Sequence, residues 1–391
     1  MTAGSRGDVA PFTGLGHGLA RAGHEVTLVT HGCFEPLVAG AGVGFHALPV
    51  DPRAELESAR GRGLHRSATG AGKLLRVVEM ARRLVGRMTD DLLAAARAND
   101  VLLLSSSLGP LGHTIAEGLR LPSMGVYLQP LAPTREFGPP VLGGRSWGAA
   151  GNRLAGNGVS MAVEQIFAST VPAVRARLGL PHHTPGAARR ARERQGWPVL
   201  HGFSPLVVPR PRDWRPGLDI CGYWWPYDTQ PQLPPEVEEF LASGPPPVFV
   251  GALRQARLRG VIQRGWGELS ADGDDMLTVG EVAHSALFPR MAAVVHHCGA
   301  GTTAAGLRAG VPAVPVPIQF DEGFWASRLV SLGVAPRTIP LRRLTTTSLA
   351  AALLQATSDP SYGERARALA ARIGAEDGVG LVLESLHRLS D

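Results

Sequence analysis

Short runs rich in Val, Leu and Thr alternate with longer amphipathic stretches from Pro11 to about Gly222. Residues 14–22 predict a helix ending near Gly23, and residues 25–30 predict a strand rich in β-branched side chains. Residues 38–42 and then 43–48 repeat the helix-to-strand step. Residues 73–98 predict a long helix, and residues 101–105 a short continuous apolar strand of the kind a parallel sheet buries on both faces. This alternation predicts an α/β domain with a doubly wound parallel sheet.

The pattern breaks at a Pro-rich passage, residues 224–247, which ends in Gly244-Pro245-Pro246-Pro247. Proline removes backbone donors and stiffens the chain, so the passage predicts an interdomain linker. Strand-like runs then recur at residues 248–250, 260–263, 276–279, 292–295 and 313–316, with a helical tail over 345–389. The predicted organisation is an N-terminal Rossmann-like domain over 1–222, a linker over 223–247 and a C-terminal domain over 248–391. Two such domains facing each other put ligands in the cleft at the carboxyl ends of their strands.

Length supports the division, because 391 residues exceed what one core usually fills. A hydrophobic content of 44% with 18% charged residues describes an ordinary globular protein. No apolar run is long enough to span a bilayer and the start carries no signal-peptide pattern, so the expected location is cytoplasmic, with peripheral membrane contact left open. Cys33, Cys221 and Cys298 are too few and too scattered for a disulfide framework or a metal site. The net charge of +6 raises nucleic-acid binding, but Lys73 is the sole lysine, and the densest basic run, residues 189–194, is interrupted by Ala and Glu. No nucleic-acid motif accompanies it, so nucleic acid is not an expected partner.

Candidate chemistry concentrates between His296 and Trp325. A strand runs into His296-His297-Cys298-Gly299-Ala300-Gly301-Thr302-Thr303 and then into a helix at 304–308. A Gly-rich turn at a helix N-terminus binds anions, since free N–H groups and the helix dipole both favour negative charge. His297, Thr302 and Thr303 add side-chain donors. The glycines alone fit tight strand-helix packing equally well. Farther on, Asp321 and Glu322 form an acidic pair suited to sugar hydroxyls, and Phe324-Trp325 could pack on a sugar face. A turn with solvated acids is the plainer reading of the same residues.

Together, His297-x-Gly-x-Gly-Thr-Thr, Leu307-Arg-Ala-Gly-Val-Pro and Asp-Glu-x-Phe-Trp resemble the donor site of the GT-B UDP-glycosyltransferases, in the bacterial branch similar to sterol and vancomycin-type antibiotic glycosyltransferases. Gly4-Ser5-Arg6-Gly7-Asp8-Val9-x-Pro11 is similar to that branch's opening loop, and Gly222-Tyr223-Trp224-Trp225-Pro226 to its N-domain end. The resemblance implies inverting transfer of a hexose from a UDP- or dTDP-sugar to a lipophilic acceptor hydroxyl, such as that of a sterol or polyketide. The nucleotide sugar would be a co-substrate, with no cofactor and no metal. It implies that Asp8 is the base, with His17 an alternative. It also implies that His297, Gly299, Ala300, Gly301, Thr302 and Thr303 cradle the diphosphate. Asp321, Glu322 and Trp325 would meet the donor sugar, and Trp266, Val282 and His284 the nucleotide base or ribose. Loops near residues 105–108, 129–137 and Trp147 would shape the acceptor pocket.

Departures from the family pattern qualify the expectation of activity. Only Met1 to Ala3 precede the opening loop, so the central first strand is expected to lack residues. The connection from residue 251 to 259 is shorter than the dozen or so residues a parallel crossover takes. Glu322 and Gly323 stand where the family has Gln and Pro, and an ionised Glu cannot donate a hydrogen bond. The alternative to an active transferase is a catalytically impaired or auxiliary relative that binds nucleotide sugar or a partner protein. A nicotinamide-dependent oxidoreductase is disfavoured, because no Gly-x-Gly-x-x-Gly follows a strand with an acid about 20 residues on.

Overall fold

The computed structural model describes residues 1–51, 70–228, 232–249, 258–264, 270–271 and 273–390. Helix α1 (Arg6–Arg21) begins at Arg6 rather than at the predicted Gly14. Ser5 and Asp8, spaced as a capping pair, close its first turn. Pro11 lies inside the helix and removes one backbone donor without ending it.

The N-terminal half continues with β1 (Thr27–His31), α2 (Glu35–Ala39), β2 (Gly44–Leu48), α3 (Gly70–Arg97), β3 (Leu102–Leu104), α4 (Gly109–Leu119) and β4 (Ser123–Tyr127). It then runs through α5 (Gly148–Ile166), α6 (Thr170–Arg177), α7 (Pro185–Arg194), β5 (Val199–His201) and β6 (Leu218–Ile220). Strands β1 and β2 form one parallel pair, and β3-β4-β5-β6 form a four-stranded parallel sheet. Residues 1–3 fill the slot between them. Thr2 N donates to Val29 O at 2.9 Å, Ser105 N to Met1 O at 3.0 Å and Met1 N to Leu103 O at 2.8 Å. The expected gap is therefore occupied by a three-residue stub bonded to both neighbours, and the opening loop leaves from its end.

The passage predicted as a linker contains α8 (Pro235–Ala242), with proline in its first turn and Glu236 and Glu238 complementing its N-terminal dipole. The C-terminal half then forms β7 (Val248–Phe249), β8 (Gly260–Gln263), β9 (Met276–Val279), α9 (His284–Leu287), β10 (Ala293–His296), α10 (Ala300–Ala309), β11 (Ala313–Pro315) and α11 (Glu322–Ser331). Three tail helices follow: α12 (Thr346–Ser358), α13 (Pro360–Gly374) and α14 (Gly380–Ser390). Its sheet is parallel throughout, in the order β11-β10-β7-β8-β9. Strands β7 and β8 pair in parallel, Val248 with Gly260 and Phe249 with Val261, despite the short connection; residues 250–257 lie outside the described ones.

The strand order reverses between β7 and β10, and open α/β sheets bind ligands at the carboxyl edge of such a switch point. The carboxyl end of β10 is His296, so the fold alone directs attention to residues 296–303. A shared core holds the halves together. Phe137, Phe203 and Tyr223 pack with Phe324, Trp325, Leu329 and Ile373. Helix α14 returns to the N-terminal half, where Val382 and Leu386 pack against Val9, Phe12, Leu15 and Leu19 of α1. No helix among the described residues is long and apolar enough to cross a membrane.

Candidate functional site

Strand β10 enters its turn through Cys298, which takes a left-handed φ of 69°. His296 holds that turn: its Nδ1 accepts from Cys298 N at 3.1 Å. Burial lowers the His296 pKa to about 3, with the neighbouring charge of His297 adding to the effect, so the ring is neutral and free to accept. Gly299 is the N-cap of α10, and a Cβ there would stand 2.7 Å from His297 Nε2. The missing side chain is what lets the exposed His297 ring lie over the helix start.

The first three N–H groups of α10, on Ala300, Gly301 and Thr302, have no partner within the helix. No side-chain cap and no acidic residue occupies the first turn. Three donors, the helix dipole and His297 thus converge on one open position, an arrangement suited to a phosphate. Thr303 does not share it. Its N–H is already bonded to Gly299 O at 2.9 Å, and its hydroxyl is buried with the residue 1% exposed.

The next loop carries a second left-handed residue, Phe320 at φ 51°. Non-glycine residues with positive φ are uncommon and concentrate at functional loops. Of the three among the described residues, Cys298 and Phe320 flank this site. Asp321 follows as the N-cap residue of α11. Its Oδ2 accepts from Trp325 Nε1 at 2.9 Å and from Gln129 Nε2, in the other half of the chain, at 2.9 Å. Burial raises the Asp321 pKa, opposed by the Trp325 bond.

Two residues expected at a sugar are engaged elsewhere. Trp325 is 1% exposed, enclosed by Phe203 and Phe324, so it presents no ring face; its indole N–H instead orients Asp321. Glu322 Oε2 accepts from the backbone N–H of Gln319 at 2.8 Å and of Ile318, tying down the loop that precedes α11.

Asp8 stands across from these groups at the start of α1. Its Oδ2 accepts from Ser5 N and Ser5 Oγ, both at 2.8 Å. Burial raises its pKa, the Ser5 bonds oppose that rise, and the Asp321 charge adds to it. Gly4 N donates to His31 Nε2 at 3.1 Å and fixes the loop just ahead. His17 faces away: its Nδ1 meets Ala41 O at 3.0 Å and its ring packs on Tyr227.

The remaining predicted residues belong to the C-terminal half. His284 donates Nε2–H to Gln263 Oε1 at 3.2 Å and stacks on Phe288 with ring centroids 4.3 Å apart. Burial lowers its pKa to about 4, helped by the charges of Arg6 and His297. Val282 is half-buried against the same core as Phe249 and Phe288. Trp266 lies outside the described residues. The charge of Asp321 thus acts on Asp8, that of His297 on Asp321 and on His284, and that of Arg6 on His284, which places these groups near one another. Arg6 also pairs with Glu281 at 2.9 Å, an exposed bridge worth at most about 1 kcal/mol. Sequence reasoning missed Gln129 as a site residue, having placed it only among acceptor-side loops.

Known proteins share this architecture. Residues 1–135 match the glycosyltransferase family 28 N-terminal domain, and residues 263–387 match the C-terminal domain of erythromycin biosynthesis protein CIII-like proteins. The chain is 35% identical to the O-mycaminosyltylonolide 6-deoxyallosyltransferase of Streptomyces fradiae, over 97% of this chain and 94% of that one. It is 30% identical to the sterol 3-beta-glucosyltransferase UGT80B1 of Arabidopsis thaliana, over 99% of this chain and 67% of that one. Among solved structures, the glycotransferase of kitacinnamycin superposes with a TM-score of 0.71 at 19% identity, covering 99% and 97% of the two chains. The glycosyltransferase VinC in complex with dTDP superposes at 0.68 and 21%, covering 99% and 97%.

Proposed function

The chain belongs to the GT-B glycosyltransferases and is a hexosyltransferase of the UDP-glycosyltransferase type, and from that premise we propose that it moves a hexose from a UDP- or dTDP-sugar to a hydroxyl on a lipophilic acceptor, with inversion. One observation carries the reading: the helix N-terminus at residues 300–302 has neither a side-chain cap nor an acidic residue and carries the His297 ring over its N-cap glycine, while Asp8 lies near enough to Asp321 for the Asp321 charge to help raise its pKa.

Asp8 accepts the proton of the acceptor hydroxyl. The hydroxyl oxygen then attacks the anomeric carbon while the bond from that carbon to the phosphate oxygen breaks. The departing diphosphate takes up the negative charge at the N–H groups of Ala300, Gly301 and Thr302, with His297 as a further donor. Asp321 Oδ1 accepts from a hydroxyl of the donor sugar. A general base of this kind works within about 3 Å of its proton. Asp8 suits the part because its hydrogen bonds from Ser5 go to Oδ2, leaving Oδ1 for a ligand.

Relatives named as an O-mycaminosyltylonolide 6-deoxyallosyltransferase and as sterol 3-beta-glucosyltransferases support a lipophilic acceptor. Incubation with UDP-glucose and dTDP-glucose against a panel of macrolide aglycones and sterols is expected to release nucleoside diphosphate in step with glycosylated product. Tight nucleotide-sugar binding without transfer to any acceptor would favour the auxiliary reading, and no binding at all would remove both.

A further inference from the structure

The first turn of α11 is held from the other half of the molecule at two places. Gln129, just beyond the carboxyl end of β4, donates Nε2–H to Asp321 Oδ2 across a sequence separation of 192 residues. Nearby, the loop carrying Gly143 and Gly144 seats directly on α11. A Cβ on Gly323 would stand 3.1 Å from Gly143 O, and one on Gly144 would stand 2.7 Å from the Phe324 ring. Gly143 and Gly144 are both left-handed, at φ 79° and 69°. The glycine at 323, a departure from the family pattern, is thus the residue that lets the two backbones approach.

A carboxylate has about four acceptor positions on two oxygens. With Gln129 and Trp325 both bonded to Oδ2 and the Asp321 backbone also bonding the carboxylate, its plane is fixed and acceptor capacity on Oδ1 is left for a ligand. A carboxylate accepts only from the amide nitrogen, so Gln129 Oε1 is the free end of its side chain. We infer that Gln129 is a positioning residue for the donor hexose: from the acceptor-side half it orients Asp321, so the sugar is read jointly by both halves of the chain.

This rests on the donor-site reading given above, and the test separates the two. Nucleoside diphosphate and the matching nucleotide hexose are titrated calorimetrically into wild type, Gln129→Leu, Gln129→Glu, Asp321→Ala and the Gln129→Leu/Asp321→Ala double variant. Gln129→Leu is expected to weaken the nucleotide hexose about tenfold, the scale of one hydrogen bond to a charged group, and to leave the diphosphate unchanged. Gln129→Glu, which sets an acceptor against an acceptor, is expected to lose more. In the Asp321→Ala background, Gln129→Leu is expected to have no further effect. Equal losses for diphosphate and nucleotide hexose, an additive double variant, or unchanged hexose affinity in Gln129→Leu would each overturn the role of Gln129. Failure of wild type to bind the diphosphate would overturn the donor site itself.

Discussion

Asp8 and Asp321 are both partly buried carboxylates at the start of a helix, Asp8 in the first turn of α1 and Asp321 at the N-cap of α11, and burial raises both pKa values. Their partners differ in kind. Asp8 is held by Ser5, three residues away, and could be positioned by its own loop alone. Asp321 is held by Trp325 on its own helix and by Gln129 from the opposite half. A locally held acid keeps its geometry whatever the domains do, which suits a group that must meet many acceptors. A jointly held acid is in register only when the halves are together, which suits a group that reads the donor.

The sharpest way to break this contrast is Asp8→Asn. The amide oxygen still accepts from Ser5, so folding is expected to be kept and nucleotide-sugar affinity retained. Turnover is expected to fall about 10²- to 10⁴-fold. Comparable turnover in a transfer assay would remove Asp8 from the base role.

Asp321→Ala comes next and should act on two observables together. Donor-sugar affinity falls, and stability drops by about 1–3 kcal/mol because the buried Trp325 indole N–H loses its partner. Denaturant unfolding of this variant beside Asp8→Asn should show the loss only in the former.

Gly144→Ala tests the clasp without touching either carboxylate. A left-handed φ and a Cβ 2.7 Å from Phe324 predict about 1–2 kcal/mol of destabilisation. A melting temperature equal to wild type would show that the loop does not seat on α11 in solution.

The smallest effect concerns pH. The Asp8 pKa is raised above 3.8, so the acid limb of turnover should lie above the ordinary aspartate range. Folded Asp8 binds its proton more tightly than the unfolded chain does. Its contribution to stability therefore declines as pH rises through the window that opens at 3.8. Ser5→Ala removes a bond that lowers this pKa, so the limb should move further up in pH, at a capping cost of about 1 kcal/mol. A limb that stays in place or moves down would assign it to another group.

What was legible in the chain follows the same division between local and distant partners. The β10 strand, the glycine turn and α10 could be read because strand, cap and helix are contiguous and no acid occupies the first turn. The early start of α1 lies outside the predicted helix because residues 4–11 read as a loop, whereas Ser5 and Asp8 cap the helix at its true start. Trp325 is expected at a sugar face because it lies just beyond the acidic pair Asp321-Glu322. Phe203, far back in the chain, covers it, and no periodicity reports that. Gln129 was invisible as a partner of Asp321 for the same reason, and so was the use of residues 1–3 as a stub between β1 and β3.

The central claim, that residues 296–325 bind a nucleotide sugar through the N-terminus of α10, is tested most directly at Gly301. A side chain there meets no atom within 4 Å, so Gly301→Asp can be accommodated, and a carboxylate in the first turn should leave the helix as stable or slightly more so. Calorimetric titration with UDP and dTDP is expected to show wild-type binding and at least about a hundredfold loss in Gly301→Asp, because the new charge occupies the diphosphate position. A Gly301→Asp protein that binds either nucleotide as tightly as wild type would contradict the account.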